Sequence, residues 1–400
     1  MSTPPARPDS TLCAHGRSLV VDARVLRQPL SGVGRYTVGM LRHLGETGSS
    51  ASPALGIHCL VNTLDMWQQL GPWPDGMRAS VIRGDLQSHP KGDLLYQWEA
   101  RQAVHRNSPC IFWGPAFQMP LSLGSTPSIV TVHDLAAFHH AHTMPAKFAW
   151  YMRTMVRLTV RRATRIIAVS AAIRAEILET FSLPPERVVH VGEGPLIAAD
   201  SSSPVDDAKA AAGELAETGL VDESMGGASQ PFFLHVGAFE PRKNIPFLLR
   251  AFELARERGA HQRLVLCGPP GWRNESILGA LESSPARPFI TRLSYVSEPT
   301  LRFLYRNTDA LLMPSLYEGF GLPPLEAAAL GARALVSDRG ALPEVAANSS
   351  CIIPLDLDAW AECLVHLPAV KSAELRALTQ RHVWLESARR FQRVCEEITP

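Results

Sequence analysis

The sequence predicts an α/β protein made of two doubly wound domains that face a common cleft, and three observations carry that reading. Short apolar runs of strand length alternate with amphipathic stretches of helix length along the whole chain, the pattern of parallel sheets covered by helices on both faces. A chain of 400 residues exceeds one ordinary core and fits two domains of about 150–200 residues each. A stretch rich in Ser, Asp, Ala and Gly, residues 198–230, separates two such series and reads as a linker with one helix-compatible segment, Asp207 to Thr218. The expected organisation is an amino domain over 1–197, the linker over 198–230, a carboxyl domain over 231–372, and a terminal helical segment over 373–400.

In the amino half the strand candidates are Ser18–Asp22, Ile57–Asn62, Leu94–Gln97, Cys110–Trp113, Ser128–Val132, Ile166–Val169 and Val188–Val191. The carboxyl half gives Phe232–Val236, Leu264–Cys267, Ala310–Met313, Ala334–Ser337 and Cys351–Ile353. Two sheets of this kind place a ligand in the crevice beyond the carboxyl ends of their strands. The terminal segment carries Trp384, Ala388, Phe391 and Val394 on one side of a helix.

Composition excludes several classes. The chain is 46% hydrophobic and 19% charged, and a formal net charge of +1 gives no general attraction to nucleic acid. Seven scattered cysteines without Cys-x-x-Cys spacing read as reduced thiols rather than a disulfide frame or a zinc site. The first seventeen residues lack an apolar core and no stretch is long enough to span a bilayer, so the expected location is cytoplasmic.

The most informative run is Ser315-Leu316-Tyr317-Glu318-Gly319-Phe320-Gly321-Leu322-Pro323-Pro324-Leu325-Glu326. It comes after an apolar strand, passes through a Gly-rich loop and enters a helix whose first turn tolerates both prolines because an N–H is not needed there. A strand, a glycine loop and a helix start together form an anion site, with free N–H groups and the helix dipole aimed at the ligand. Glu326, one turn into the helix, suits the neighbouring hydroxyls of a ribose, and Glu318 faces whatever the phosphate carries. The alternative is an ordinary βαβ unit with two solvated glutamates. The companion run Phe232 to Asn244 ends a strand at Gly237 and places Arg242 and Lys243 before an amphipathic helix. A bidentate guanidinium and a point-charge ammonium beside a glycine turn suit a diphosphate.

In the amino half, Gly32 and Gly34 lie between the first strand and a helix, which allows close approach of a ligand or simply makes a helix-start loop. Arg35 suits a phosphate, the acceptor or a surface ion pair. His133 and Asp134 lie at the end of the strand Ser128–Val132, where open sheets place functional groups. The pair His139 and His140 has no second cluster at ligand spacing, so no metal is expected. Over 147–165 the chain is basic and amphipathic, with Arg153, Arg157 and Arg161 four apart on one face. That face suits anionic membrane or a lipid-diphosphate acceptor; a solvated face opposite the core is the other reading.

Taken together, Gly237 with Glu240-Pro241-Arg242-Lys243-Asn244, the Glu318/Glu326 pair, Gly340-Ala341-Leu342-Pro343-Glu344-Val345, Ser31 to Tyr36 and Val132 to Leu135 resemble the retaining, nucleotide-sugar-dependent glycosyltransferases of family four. The resemblance covers most of the chain and implies the GT-B fold, two Rossmann-like domains with the donor held mainly by the carboxyl half and the terminal helix crossing back to the amino half. It implies His133, Glu318, Arg242 and Lys243 as the reacting-centre residues. It assigns Gly32, Gly34, Gly237, Arg242, Lys243, Gly319, Phe320, Gly321, Leu322 and Glu326 to the donor, without a metal or a resident cofactor. The glycine loop differs from the Gly-Gly-x-x-x-His version of some members. Within the family the motifs look similar to those of bacterial mannosyl- and rhamnosyltransferases of surface polysaccharide assembly, which suggests GDP-mannose as donor and a glycan or lipid-linked acceptor. A UDP-sugar transferase, a GT-B enzyme of another reaction class and a non-catalytic sugar-nucleotide-binding protein are the alternatives.

Overall fold

A computed structural model describes residues 18–28, 30–46, 56–83, 90–197, 203–222 and 228–398. The leader expectation for the first seventeen residues and the thiol Cys13 lie outside them.

The amino domain is a seven-stranded, all-parallel sheet. Its strands are β1 (Ser18–Asp22), β2 (Gly56–Val61), β3 (Arg78–Val81), β4 (Cys110–Gly114), β5 (Ser128–Val132), β6 (Arg165–Ala168) and β7 (Val188–His190), in the order β3-β2-β1-β4-β5-β6-β7. After a two-stranded antiparallel ribbon, β8 (Val221–Asp222) with β9 (Ala228–Ser229), the carboxyl domain adds a second parallel sheet. It contains β10 (Phe232–Val236), β11 (Arg263–Cys267), β12 (Ile290–Leu293), β13 (Ala310–Met313), β14 (Ala334–Ser337) and β15 (Ile352–Ile353), ordered β12-β11-β10-β13-β14-β15. Strands covered on both faces need no alternation, which is why β5 and β13 are buried at every position. The strand order reverses between β1 and β4 and between β10 and β13, and at these switch points the loops diverge and leave a crevice.

Two expectations fail for identifiable reasons. The run Leu94–Gln97 is not a strand; it lies inside the helix Pro90–Arg106. Tyr96, Ala100, Ala103 and Val104 are buried at spacings of four, three and one, a helical stripe that a short apolar run conceals. The strand beyond β2 is β3, Arg78-Ala79-Ser80-Val81, a sheet-edge strand too polar to announce itself.

The segment 198–230 is more than a linker where it is described. Ser203 caps the helix Pro204–Leu215 through the N–H of Val205. The buried Asp207 on that helix accepts hydrogen bonds from Arg302 at 3.1 and 3.2 Å and is paired with Arg306, which docks it on the helix Glu298–Asn307. A charge so enclosed is tolerable only because it is paired.

The terminal segment is two helices. Ser372–Arg381 packs on the carboxyl domain, whereas Trp384–Glu397 lies against the amino-domain helix Gly32–Leu44. Trp384 enters between Gly39 and Gly194, where a Cβ would come within 2.5 and 2.8 Å of it, and its indole N–H donates to Pro195 O at 3.1 Å. Phe391 packs on Trp113 with ring centres 4.6 Å apart. The described cysteines are all free thiols, and Cys59, Cys267, Cys351 and Cys395 are buried.

Candidate active site

The loops after β10 and β13 meet at the second switch point. Residues Pro241–Lys243 form a single 3₁₀ turn ended by Asn244, whose backbone is left-handed (φ 57°) and whose amide donates to Pro314 O at 3.1 Å. The turn is thereby tied to the end of β13 and projects Arg242 and Lys243 toward Glu318. The Glu318 carboxylate accepts from Arg242 Nη1 at 2.7 Å, Lys243 Nζ at 2.6 Å and Ser315 Oγ at 2.7 Å. Arg242 also donates to Glu240 Oε1 at 2.7 Å and Tyr317 O at 2.8 Å. Burial acts to raise the Glu318 pKa, but Arg242 and Lys243 overcome it and hold the carboxyl at about 2. The sequence predicts a Glu318 that faces the group carried by the phosphate; in the structure it neutralises the two cations.

Gly321, at φ 111°, makes the turn into the helix Leu322–Ala329 that only glycine enters without strain. Gly340, at φ 55°, passes so close that a Cβ would lie 2.4 Å from Glu318 O. Gly319 meets the other domain: a Cβ there would fall 1.8 Å from His133 O, and Gly319 O accepts from Ser170 Oγ at 2.7 Å. Phe320 is buried, with its ring edge-on to His382 at 5.5 Å. Gly237 leaves room for the Lys243 stem, whose Cε would be 3.3 Å from an added Cβ.

Glu326 is 3% exposed and binds two groups, Arg35 Nη1 at 3.1 Å and the Tyr305 hydroxyl at 2.9 Å. Burial pushes its carboxyl up, against the pull of Arg35. Arg35 is therefore part of an ion pair between the domains rather than a surface one. The glycines before it divide in role. Gly32 is open, with nothing within 4 Å of a Cβ, whereas Gly34 is packed beneath Leu30 and Val25 and serves the loop itself.

His133 donates from Nε2 to Pro115 O at 2.8 Å, its Nδ1 lies 3.6 Å from Glu193, and its ring abuts Tyr36 edge-on. Burial raises the Glu193 carboxyl. Sequence reasoning misses Glu193; Gly192-Glu193-Gly194, one residue after β7, is the signal that could have found it. Asp134 turns back to accept the N–H of Ala136 at 3.0 Å. Tyr317, also unanticipated, bridges the halves, accepting from Leu135 N at 2.9 Å and donating to Glu176 at 2.6 Å. Glu344 accepts from the N–H groups of Ala171 and Ala172, at 3.0 and 2.8 Å, at the start of the helix Ala171–Phe181. Beside these contacts a cavity of about 420 Å³ lies between the halves, lined by His140, His142, Tyr317, Arg339 and Gly340 among others.

The basic stripe survives in part: Arg153 turns inward to donate to Ala137 O, whereas Arg157, over the Phe138 ring, and Arg161 stay exposed. The outward groups on the helix Ala146–Arg162 include Lys147, Phe148, Trp150, Arg157, Arg161 and Arg162, with Trp150 70% exposed. Among the described residues no helix is long and apolar enough to cross a membrane.

At the crevice between the two halves, a helix start behind a glycine loop and a cluster of Arg242, Lys243 and Glu318 come together, an arrangement suited to an anionic ligand. Residues 226–364 match the family described as glycosyl transferases group 1, and residues 30–194 match glycosyltransferase family 4. The chain belongs to these glycosyltransferases, and its fold is GT-B. It is similar to the O-antigen chain mannosyltransferase B of Escherichia coli, 28% identical over 342 residues that cover 84% of this chain and 86% of that one. Solved structures of like fold include Anabaena HepE in complex with UDP and glucose (TM-score 0.70, 15% identity, 96% of this chain and 100% of that chain). Another is WaaG, a glycosyltransferase involved in lipopolysaccharide biosynthesis (TM-score 0.61, 16% identity, 94% of each chain).

Proposed function

We propose that this protein transfers a mannosyl group from GDP-mannose, with retention and without a metal, to a glycan or lipid-diphosphate-linked acceptor in surface polysaccharide assembly. The observation that carries the reading is the Arg242–Lys243–Glu318 cluster, beside the helix start at Leu322 and next in the chain to Gly319, which meets His133 O of the other domain. The choice of mannose is supported by the O-antigen mannosyltransferase to which most of the chain is similar.

In this reading Arg242, Lys243 and the N–H groups at the helix start hold the diphosphate, and Glu326 holds the ribose. The bond from the anomeric carbon to the phosphate oxygen breaks, and the bond to the acceptor oxygen forms on the same face. The acceptor proton passes to the departing phosphate oxygen. Negative charge grows on the diphosphate as the bond breaks, and two fixed cations in a dry site favour that state; one such contact is worth about 3 kcal/mol, roughly a hundredfold in rate. Glu318, ionised throughout the working pH range, favours the positive charge that develops on the ring. Peripheral contact with anionic lipid would run through Lys147, Trp150, Arg161 and Arg162.

Donor turnover tests this. GDP-mannose, UDP-glucose and dTDP-rhamnose are each incubated with the protein and a lipid extract in EDTA, with released nucleotide and the anomeric configuration of the product read by NMR. Turnover of GDP-mannose with an α product is the expected result. Turnover of a UDP-sugar alone would move the donor, and an inverted anomer would remove the same-face route.

A further inference from the structure

A second cavity, about 290 Å³, opens at the carboxyl end of β12 and is lined by Glu214, Leu293, Tyr295, Val296 and Ser297. It adjoins the donor site. The helix Glu298–Asn307 starts at the cavity directly after Ser297 and carries Tyr305, whose hydroxyl donates to Glu326 at 2.9 Å. A nucleotide whose ribose is held by Glu326 therefore has this cavity within reach for its base. Its floor is apolar, from Leu293 and Val296, and Tyr295, 76% exposed, stands at its edge as a stacking surface.

The charged group among its lining residues is the carboxylate of Glu214. It comes from neither sheet but from the helix Pro204–Leu215 that connects the halves. Asp207 and Glu214, seven residues apart, share one face of that helix. Asp207 anchors the face to Arg302, and Glu214 Oε2 accepts the N–H of Ser297 at 2.9 Å, so the docked helix is held at both ends. A carboxylate has about four lone-pair positions, and one hydrogen bond leaves acceptor capacity on both oxygens.

We propose that Glu214 reads the base of the donor nucleotide and selects guanine. Guanine presents two adjacent donors on its pairing edge, N1–H and the N2 amino group, which match two carboxylate oxygens. Adenine and cytosine set an acceptor beside their amino group, and uracil flanks its single N–H with two carbonyls, which a carboxylate repels. The inference rests on the donor reading above and adds to it the group that distinguishes one nucleotide from another.

The test is titration calorimetry of the full chain with GDP, inosine diphosphate, UDP and ADP, on the wild type, Glu214→Gln, Glu214→Ala and Arg242→Ala. A matched pair of base contacts is worth about tenfold to a hundredfold in discrimination. The wild type should therefore prefer GDP to inosine diphosphate, which lacks the amino group, and prefer either to UDP. Glu214→Ala should lose most of that preference, binding GDP more weakly and UDP more tightly than wild type, and Glu214→Gln should lose part of it. Arg242→Ala should weaken every nucleotide alike. An unchanged preference for GDP in both Glu214 variants would overturn the role of Glu214 and leave the donor site standing. Preference of the wild type for UDP or ADP would overturn guanine selection, and failure of folded wild type to bind any nucleotide would overturn the donor reading with it.

Discussion

Replacing Glu318 by Gln keeps its shape and removes its charge, and the structure gives opposite signs for the effects on stability and on nucleotide binding. The carboxyl is held at about 2 against a usual value of 4.5. That difference corresponds to about 3 kcal/mol of preference for the ionised form in the folded protein. The substitution leaves Arg242 with Glu240 as its remaining ion-pair partner and deprives Lys243 of the Glu318 carboxylate, with both cations largely buried. Removing one partner from a buried cluster typically costs about 3–5 kcal/mol. For a domain of this size that lowers the melting temperature by about 6–20 °C. A nucleoside diphosphate supplies the missing negative charge, so GDP should bind Glu318→Gln about tenfold more tightly than wild type, a gain of about 1.4 kcal/mol, and raise its melting temperature further. Transfer should nevertheless fall roughly a hundredfold, because the carboxylate that favours the cationic ring is gone. Differential scanning calorimetry with and without GDP, paired with initial rates, reads all three. Unchanged melting temperature together with unchanged or weaker GDP binding would refute the argument, since it would mean that Glu318 does not neutralise the phosphate-binding cations.

The same carboxyl sets a pH dependence: a depressed pKa contributes stability above 4.5 that is lost as pH falls toward 2, so circular dichroism between pH 5 and 2 should show a steeper acid limb for wild type than for Glu318→Gln. Gly319→Ala forces a methyl against His133 O and should hold the domains apart, giving a larger radius of gyration by small-angle scattering and about a hundredfold loss of transfer. Gly213→Ala, which meets nothing and removes a helix glycine, should leave the radius unchanged and add up to about 1 kcal/mol. Trp384→Ala empties the slot between Gly39 and Gly194 and should cost about 3–5 kcal/mol in urea unfolding, with the crossing helix exchanging amide protons faster.

Much of the architecture was legible because parallel strands buried on both faces are largely apolar, so β5, β10 and β13 stood out as runs. The edge strand β3 and the helix over Pro90–Arg106 were not legible: an edge needs little hydrophobicity, and Leu94 to Gln97 is too short to show a helical period. The donor-side motifs could be read because a glycine at φ 111° and prolines at a helix start leave few substitutes. Their electrostatic state was not. Glu318 and Arg242 are 76 residues apart, and Arg35 and Glu326 are 291 apart.

Local sterics and periodicity, both written in the chain, specify most of the segments that become strands, the loops that end in glycine and the charges that stand beside them. The pairing of those charges was settled by the tertiary fold. Glu318 holds the cations, Arg153 turns inward, Glu193 reaches His133, and Glu214 is carried on a connecting segment into a cavity of the carboxyl domain. The physical reason is that the Coulomb and desolvation energies of a side chain depend on its neighbours within a few ångströms in space, and chain order does not specify those neighbours.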